Sequence, residues 1–478
     1  MPARLPLKLP RARGARRGTM PAYFADRVWL PQGWATNVRL SVDSDPGLLT
    51  AVQPNTVSDD AIRLSGPVIP GVPNAHSHAF QRALAGLGER AGRFANWRTA
   101  MYRLANALTP EQLEAISAQA YVELLKGGYT SVAEFHYLHH GPHGQPYRDL
   151  PELSWRVLSA ARHAGIAMTL LPVLYGHSDF GGEAPEPGQQ RFVNEPERLL
   201  HLIQRIQEGT RDQPDVQLGL APHSLRAVTP ETLHSAVHGF RQLAPTAPIH
   251  MHVAEQPGEV DACQDRFRQR PVAWLLDQTD LVDDGWTFVH CTQALDGELE
   301  QLARRGVTVA LCPTTEANLG DGVCAADHFA AWQGRLAIGS DSQVCRDAFA
   351  ELRALDHSQR LRHGRRPGIT PRQGQEGPGA DLLTRAGLGG RNALGQKVGQ
   401  LVPGARADLL VLDPEVAALA GVPDERLLDA LLFQQPTGAV RDVMVGGRWV
   451  VQARQHHAEE RILSDYRTVM AELMPQLG

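Results

Sequence analysis

"PGVPNAHSHAFQRALAGLGER", residues 70–90, places His76 and His78 directly after an apolar run. In an extended strand alternate side chains point to the same side, so both imidazoles face one space. That spacing suits a metal site, and its meaning depends on what the rest of the chain brings to the same place.

From residue 67 onward, short apolar, β-prone runs alternate with helical stretches. They are PVIPGVPNAHSH, TSVAEFHY, IAMTLLPVLYGH, VQLGLAPHS, PIHMHVAE, WTFVHCT, VTVALCPTT and LAIGSDS. Eight such β/α units are what a (β/α)8 TIM-type barrel requires. The helical stretches carry their own punctuation: TPEQLEAISAQAYVELLKGG opens with Thr109 as a cap and Pro110 in the first turn, and stops at Gly127 and Gly128. Each run ends in a chemically capable residue: His78, His136, His177, His223, Glu255, His290, Thr315 and Asp341. In a barrel those ends converge on the face where the active site is built.

The flanking segments define the remaining organisation. Residues 20–66 and 386–455 read as short strands and turns, and are assigned to one small composite β-sandwich domain drawn from both chain ends. The barrel spans 67–385, and 456–478 has helical spacing. Residues 1–19 are basic, rich in Pro and Gly and without an apolar core, which reads as a disordered extension rather than a secretory signal.

Composition excludes several classes of function. The net charge is −5, so no basic field awaits nucleic acid, and no window approaches the roughly 18 consecutive apolar residues of a membrane span. The five cysteines, Cys263, Cys291, Cys312, Cys324 and Cys345, form no C-x-x-C pair and read as reduced thiols of a cytoplasmic protein.

His76 and His78 from the first run, His252 from the fifth and Asp341 from the eighth supply three imidazoles and a carboxylate. That set suits Zn2+ or another borderline divalent ion with a position left for water. His250 competes with His252, but the latter lies nearer the active-site end. Of three lysines, Lys8, Lys126 and Lys397, none ends a strand. A lysine-bridged two-metal site is therefore excluded, and a single ion is favoured.

The motifs PGVPNAHSHAFQRALAGL, HVAEQPGEV, VHCTQ and IGSDSQV resemble the amidohydrolase superfamily and, within it, the formimidoylglutamate deiminases, from about residue 20 to the C-terminus. The resemblance implies one zinc ion on His76, His78, His252 and Asp341, with His290, Asp341 and Glu255 as catalytic, proton-handling groups. It implies hydrolysis of N-formimidoyl-L-glutamate to N-formyl-L-glutamate and ammonia in histidine degradation, by attack of a metal-bound hydroxide on the formimidoyl carbon. The partner is then a small anionic substrate, and a homodimer is compatible with a barrel of this kind. Two carboxylates call for guanidinium groups. His223 and Arg226 are the first candidates for one of them, and the resemblance adds Gln81, Arg103 and Tyr137 for substrate binding. The alternative is a superfamily deaminase acting on a heterocycle of the guanine, adenosine or cytosine type. Such a ring would want stacking aromatics, and Tyr137 is the one aromatic expected at the site.

Overall fold

The computed structural model describes residues 21–477 apart from 44, 58, 59, 85, 88, 90–93 and 279, so the basic segment 1–19 lies outside the described residues. The eight runs occupy eight successive strand positions of one barrel. These are Val72–Ser77, Tyr129–His136, Ala167–Leu174, a fourth position in two short pieces (Val216–Leu218 and Ala221–Pro222), Ile249–Val253, Trp286–His290, Thr308–Leu311 and Arg335–Ile338. Every pairing between neighbours is parallel. Single parallel bridges join the two halves, Leu220 to Ile249 on one side and Ser77 to Asp341 on the other. Most of these strands are buried along their whole length, as expected where helices cover the outside and side chains fill the inside.

The seam between the eighth and first strands sets the distance between His76 and Asp341, and the helix Pro378–Leu394 covers it. Two glycines allow the close approach. A Cβ on Gly389 would lie 2.0 Å from the Leu336 carbonyl oxygen, and one on Gly390 would lie 2.7 Å from the Pro73 side chain. The expected domain boundary at residue 386 cuts through this helix, which packs on barrel strands, and is corrected. The glycines mimic a break in the sequence, yet serve contact.

The first run is also divided. Val68–Pro70 pairs outside the barrel, antiparallel to Leu409–Leu412 and parallel to Ala22–Leu30. The chain then enters the barrel at Val72. Val68–Pro70 thereby stitches the two chain ends into one hydrogen-bonded sheet, in the order Gln455–His456, Arg448–Gln452, Val440–Val445, Leu409–Leu412, Val68–Pro70, Ala22–Leu30, Gly33–Asp43, Leu48–Gln53, with Ile62–Arg63 beside Ala22–Leu30. Among the described residues this is one continuous sheet of nine strands, not the two separate sheets of a sandwich. It buries its own apolar cluster, including Val28, Leu40, Val68, Leu409 and Met444.

The helix Pro110–Lys126 has the anticipated start: the Thr109 hydroxyl accepts from the Gln112 amide, and the Gln112 side chain accepts from the Thr109 amide. The C-terminal helix Glu459–Leu477 packs against it. No helix among the described residues is long and apolar enough to cross a membrane.

Candidate active site

At the C-terminal ends of the strands, His76, His78, His252, His290, Glu255 and Asp341 are all buried. Asp341 and His290 sit at φ of 44° and 74°, in the left-handed region that residues other than glycine enter at a cost of about 1–3 kcal/mol. Strain of this kind turns the chain out of the strand and aims the side chain inward.

Hydrogen bonds to carbonyl groups fix which imidazole nitrogens are free. Nδ1 of His78 lies 3.0 Å from the Phe135 carbonyl and Nδ1 of His252 lies 3.0 Å from the His223 carbonyl. A carbonyl only accepts, so each Nδ1 holds the proton and each Nε2 presents a lone pair. His252 Nε2 lies 3.1 Å from His76 Nε2, while Asp341 Oδ1 lies 3.5 Å from His76 Nε2 and 3.4 Å from His78 Nε2. Burial pushes the His76 imidazole down to about 3 against the pull of Asp341, and lowers His78 and His252 as well. Burial opposes the charge on Asp341, but contact with His76, His290 and His78 holds its carboxyl below the usual range. Neutral imidazoles and an ionised carboxylate turned toward one point are the protonation states in which these groups bind a metal.

The other Asp341 oxygen, Oδ2, lies 3.6 Å from His290 Nε2, and Glu255 Oε1 lies 3.9 Å from the same nitrogen. Burial works against a charge on His290. Its contact with Glu316, Oε1 to Nδ1 at 3.3 Å, together with Glu255 and Asp341, outweighs burial and raises the imidazole to about 10. Glu316 also accepts from the Cys312 amide at 2.8 Å, which anchors it behind His290. Another carboxylate secures the two strand-one histidines from the second strand: Glu134 accepts from the Ser77 hydroxyl and the Ala79 amide, each at 2.7 Å.

A cleft opens beside this cluster. The structure brings Gln81, Tyr137, His223, Arg226, Glu255, His290 and Asp341 to its walls. Gln81 Nε2 donates to the Tyr137 hydroxyl at 2.8 Å, and Arg226 Nη2 donates to Glu255 Oε2 at 3.2 Å while its buried Nε has no partner. His136, His177 and Thr315, although they follow strands, are not among the lining residues. His250 bonds instead to the Ala393 carbonyl at 2.7 Å, lower in the barrel than His252. Cys291 is buried with its thiol pushed up by desolvation.

Arg103 is a correction. It lies on the exposed side of the helix Phe94–Ala107, where Nη1 donates to the Leu477 carbonyl at 3.1 Å. The cleft side of that helix carries Trp97, Arg98, Met101 and Tyr102. Arg98 is therefore the guanidinium that this helix supplies.

The aromatic content of the site also exceeds expectation. Trp97, Tyr102, Tyr175 and Phe192 line the cleft beside Tyr137. Tyr137 meets Phe192 at 79°, Tyr175 meets Phe192 at 70° and Tyr102 meets it at 49°, so these rings brace one another at an angle. Gln189 donates to the hydroxyls of both Tyr102 and Tyr175, at 3.0 and 2.9 Å. Nothing in the sequence marked Tyr175 or Phe192: both lie in the long loop between the third strand and the helix Pro196–Thr210, and only the path of that loop brings them to Tyr137. Glu316 had a signal in its place after the seventh strand, in PTTEANLGDG.

The amidohydrolase family model matches residues 68–450. The chain belongs to the amidohydrolase family. Members of this family use a metal ion, in keeping with the imidazole and carboxylate cluster. This amidohydrolase is 47% identical over 459 residues to formimidoylglutamate deiminase of Pseudomonas aeruginosa, an alignment that takes in 95% of this chain and 100% of that one. Among solved structures it resembles an amidohydrolase from Brucella melitensis, with a TM-score of 0.88 and 41% identity over 95% of this chain and 100% of that one. An adenosine deaminase from Xanthomonas campestris with bound zinc shares the fold, with a TM-score of 0.79 at 22% identity over 95% of this chain and 99% of that one.

Proposed function

We propose that the protein hydrolyses N-formimidoyl-L-glutamate to N-formyl-L-glutamate and ammonia, in the degradation of histidine, with one Zn2+ held by His76, His78, His252 and Asp341. Water supplies the formyl oxygen, and the carbon–nitrogen bond to the imino nitrogen breaks. The observation that carries this reading is the pairing of two guanidinium groups, Arg226 and Arg98, with the imidazole cluster across one cleft. Two carboxylates suit the two guanidinium groups, and Glu255 at the cluster suits the cationic formimidoyl group. The 47% identity to the Pseudomonas deiminase supports it over most of the chain.

A divalent ion bound there lowers the pKa of a water molecule toward about 7 and so supplies a nucleophile at neutral pH. The chain's own groups do the rest. Arg226 and Arg98 each take a carboxylate, with Gln81, Tyr137 and His223 lining the space between, and this fixes the formimidoyl carbon against the cluster. Asp341 Oδ2 receives the proton of the attacking water, and the departing nitrogen must gain one. His290, 3.6 Å from Asp341 and 3.9 Å from Glu255, lies between the two carboxylates. A proton can therefore reach the leaving group without crossing bulk solvent. Glu255, held by Arg226, faces the cationic amidine and orients it.

The test is ammonia release by the zinc-loaded protein with formimidoylglutamate beside guanine, adenosine and cytosine. Release from formimidoylglutamate alone is expected. Release only from a heterocycle overturns the substrate while keeping the metal site.

The two arginines on the helix Phe94–Ala107 separate in the same assay. Arg98→Ala is expected to raise KM at least about tenfold, the loss of one charge-assisted hydrogen bond or more. Arg103→Ala should leave KM within about twofold, because its partner is the Leu477 carbonyl of the C-terminal helix, outside the cleft. The reverse order would place the helix in the wrong rotation.

A further inference from the structure

The helix Pro230–Leu243, which connects the fourth and fifth strand positions on the outside of the barrel, presents His234 and His238 one turn apart on one face. Their rings are nearly parallel, 24° apart with centroids 5.9 Å apart. Asp280, from the segment ahead of the sixth strand, faces both: its Oδ2 lies 3.9 Å from His234 Nδ1 and 3.6 Å from His238 Nε2. None of the three lines the catalytic cleft.

We infer that His234, His238 and Asp280 form a second, surface site for a borderline divalent ion of the Zn2+ type. The three donor atoms all lie within 4.8 Å of one another. Distances of 3.6 and 3.9 Å are too long for hydrogen bonds. They are close to the spacing of about 3.4 Å between ligand atoms around a tetrahedral ion with bonds near 2.1 Å. Each imidazole needs a shift of only a few tenths of an ångström relative to Asp280, in side chains that are partly exposed.

A second observation fixes the direction of the His234 lone pair. Its Nε2 lies 3.2 Å from Gln278 Oε1, and Gln278 Nε2 donates to the Trp274 carbonyl at 3.3 Å. The amide is thereby oriented with its oxygen toward the imidazole, so Nε2 carries the proton and Nδ1 presents its lone pair toward Asp280. An outer hydrogen-bond acceptor that sets the tautomer in this way is the usual companion of a metal-binding histidine. Among the described residues no lysine or arginine pairs with Asp280, so its carboxylate is free to act as a ligand. Two imidazoles and one carboxylate leave a position for water, the donor set of a site filled reversibly from solution. An ion there ties the helix ahead of the fifth strand, which carries His252, to the segment ahead of the sixth, which carries His290. It binds the folded chain and so stabilises it.

The site rests on its own residues, and its test is independent of the proposed reaction. The holoenzyme is dialysed to equilibrium against micromolar Zn2+ and the bound metal counted for wild type, His238→Ala and Asp280→Asn. Wild type is expected to hold one equivalent more than His238→Ala, with unchanged turnover in both. Asp280→Asn should bind that equivalent at least about tenfold more weakly, since even outer partners are worth 10–100-fold. The thermal midpoint of wild type should rise with added Zn2+ and that of His238→Ala should not. Equal stoichiometry in wild type and His238→Ala overturns the site. Unchanged affinity in Asp280→Asn removes the carboxylate from it.

Discussion

Asp341→Ala is expected to lower kcat by at least about a thousandfold while the protein remains folded. Two roles meet in this side chain. Oδ1 faces His76 and His78 within 3.5 Å, and Oδ2 faces His290 at 3.6 Å, so in the proposed reaction one oxygen would ligate the ion and the other would lie on the proton path. A positioned acid or base alone contributes about 10²- to 10⁴-fold, and here a metal ligand is lost with it. The fold should persist because the tertiary contacts that close the seam are made by the Asp341 backbone: its carbonyl accepts from the His78 amide and its amide donates to the His76 carbonyl. Asp341 also occupies φ of 44°, which asparagine tolerates better than alanine. Asp341→Asn is therefore the gentler control, keeping shape and backbone preference while losing the ionised oxygen. Steady-state ammonia release, bound zinc and the thermal midpoint would be measured together. Turnover within about tenfold of wild type in both variants would remove Asp341 from the chemistry.

The buried imidazole and carboxylate cluster was legible in the sequence because it depends on short-range rules. Alternation along a strand puts His76 and His78 on one side, and a parallel barrel collects the ends of its strands on one face, which brings in His252, Glu255, His290 and Asp341 without any further geometry. The substrate side depends on quantities that the sequence carries weakly. Arg98 and Arg103 differ by five residues, or about 140° around a helix at 3.6 residues per turn. Choosing between them requires the rotation of that helix about its axis, which packing decides. Arg191 shows how: fully buried, it donates to the carbonyls of Ala105, Leu108 and His140, pinning the end of the helix and turning Arg98 and Tyr102 into the cleft. The helix Pro378–Leu394, which crosses the expected boundary at 386, was obscured for a related reason. Gly387, Gly389 and Gly390 look like a helix break, but glycines at a close contact and glycines at a turn have the same local spelling, and only the neighbouring strands distinguish them. The split of the first run at Pro70–Val72 was equally hidden, because one apolar stretch continues from the outer sheet into the barrel.

Arg226→Ala is expected to lower kcat/KM by about 30- to 5,000-fold. Removing one partner of a buried, hydrogen-bonded charge pair costs about 2–5 kcal/mol, and each 1.36 kcal/mol is a factor of ten. Under the proposed function Arg226 has two obligations, the substrate carboxylate and Glu255 at 3.2 Å, so its loss should raise KM and also lower kcat by freeing Glu255 to move. Arg226→Lys separates them: a lysine keeps the charge but lacks the planar fork that binds a carboxylate with two parallel bonds. It should recover part of kcat and little of KM. Substrate analogues then assign the carboxylates. N-formimidoyl-alanine lacks the side-chain carboxylate of glutamate, and 4-formimidoylaminobutyrate lacks the α-carboxylate. If Arg226 and Arg98 each hold one group, the KM penalty for removing either arginine shrinks to within about threefold on the analogue that lacks its partner and persists on the other, while the kcat loss from a freed Glu255 remains for Arg226→Ala on both. The two arginines should show opposite patterns. KM penalties that persist for both arginines on both analogues would mean that they shape the cleft through Glu255 and the tyrosines rather than by gripping the substrate.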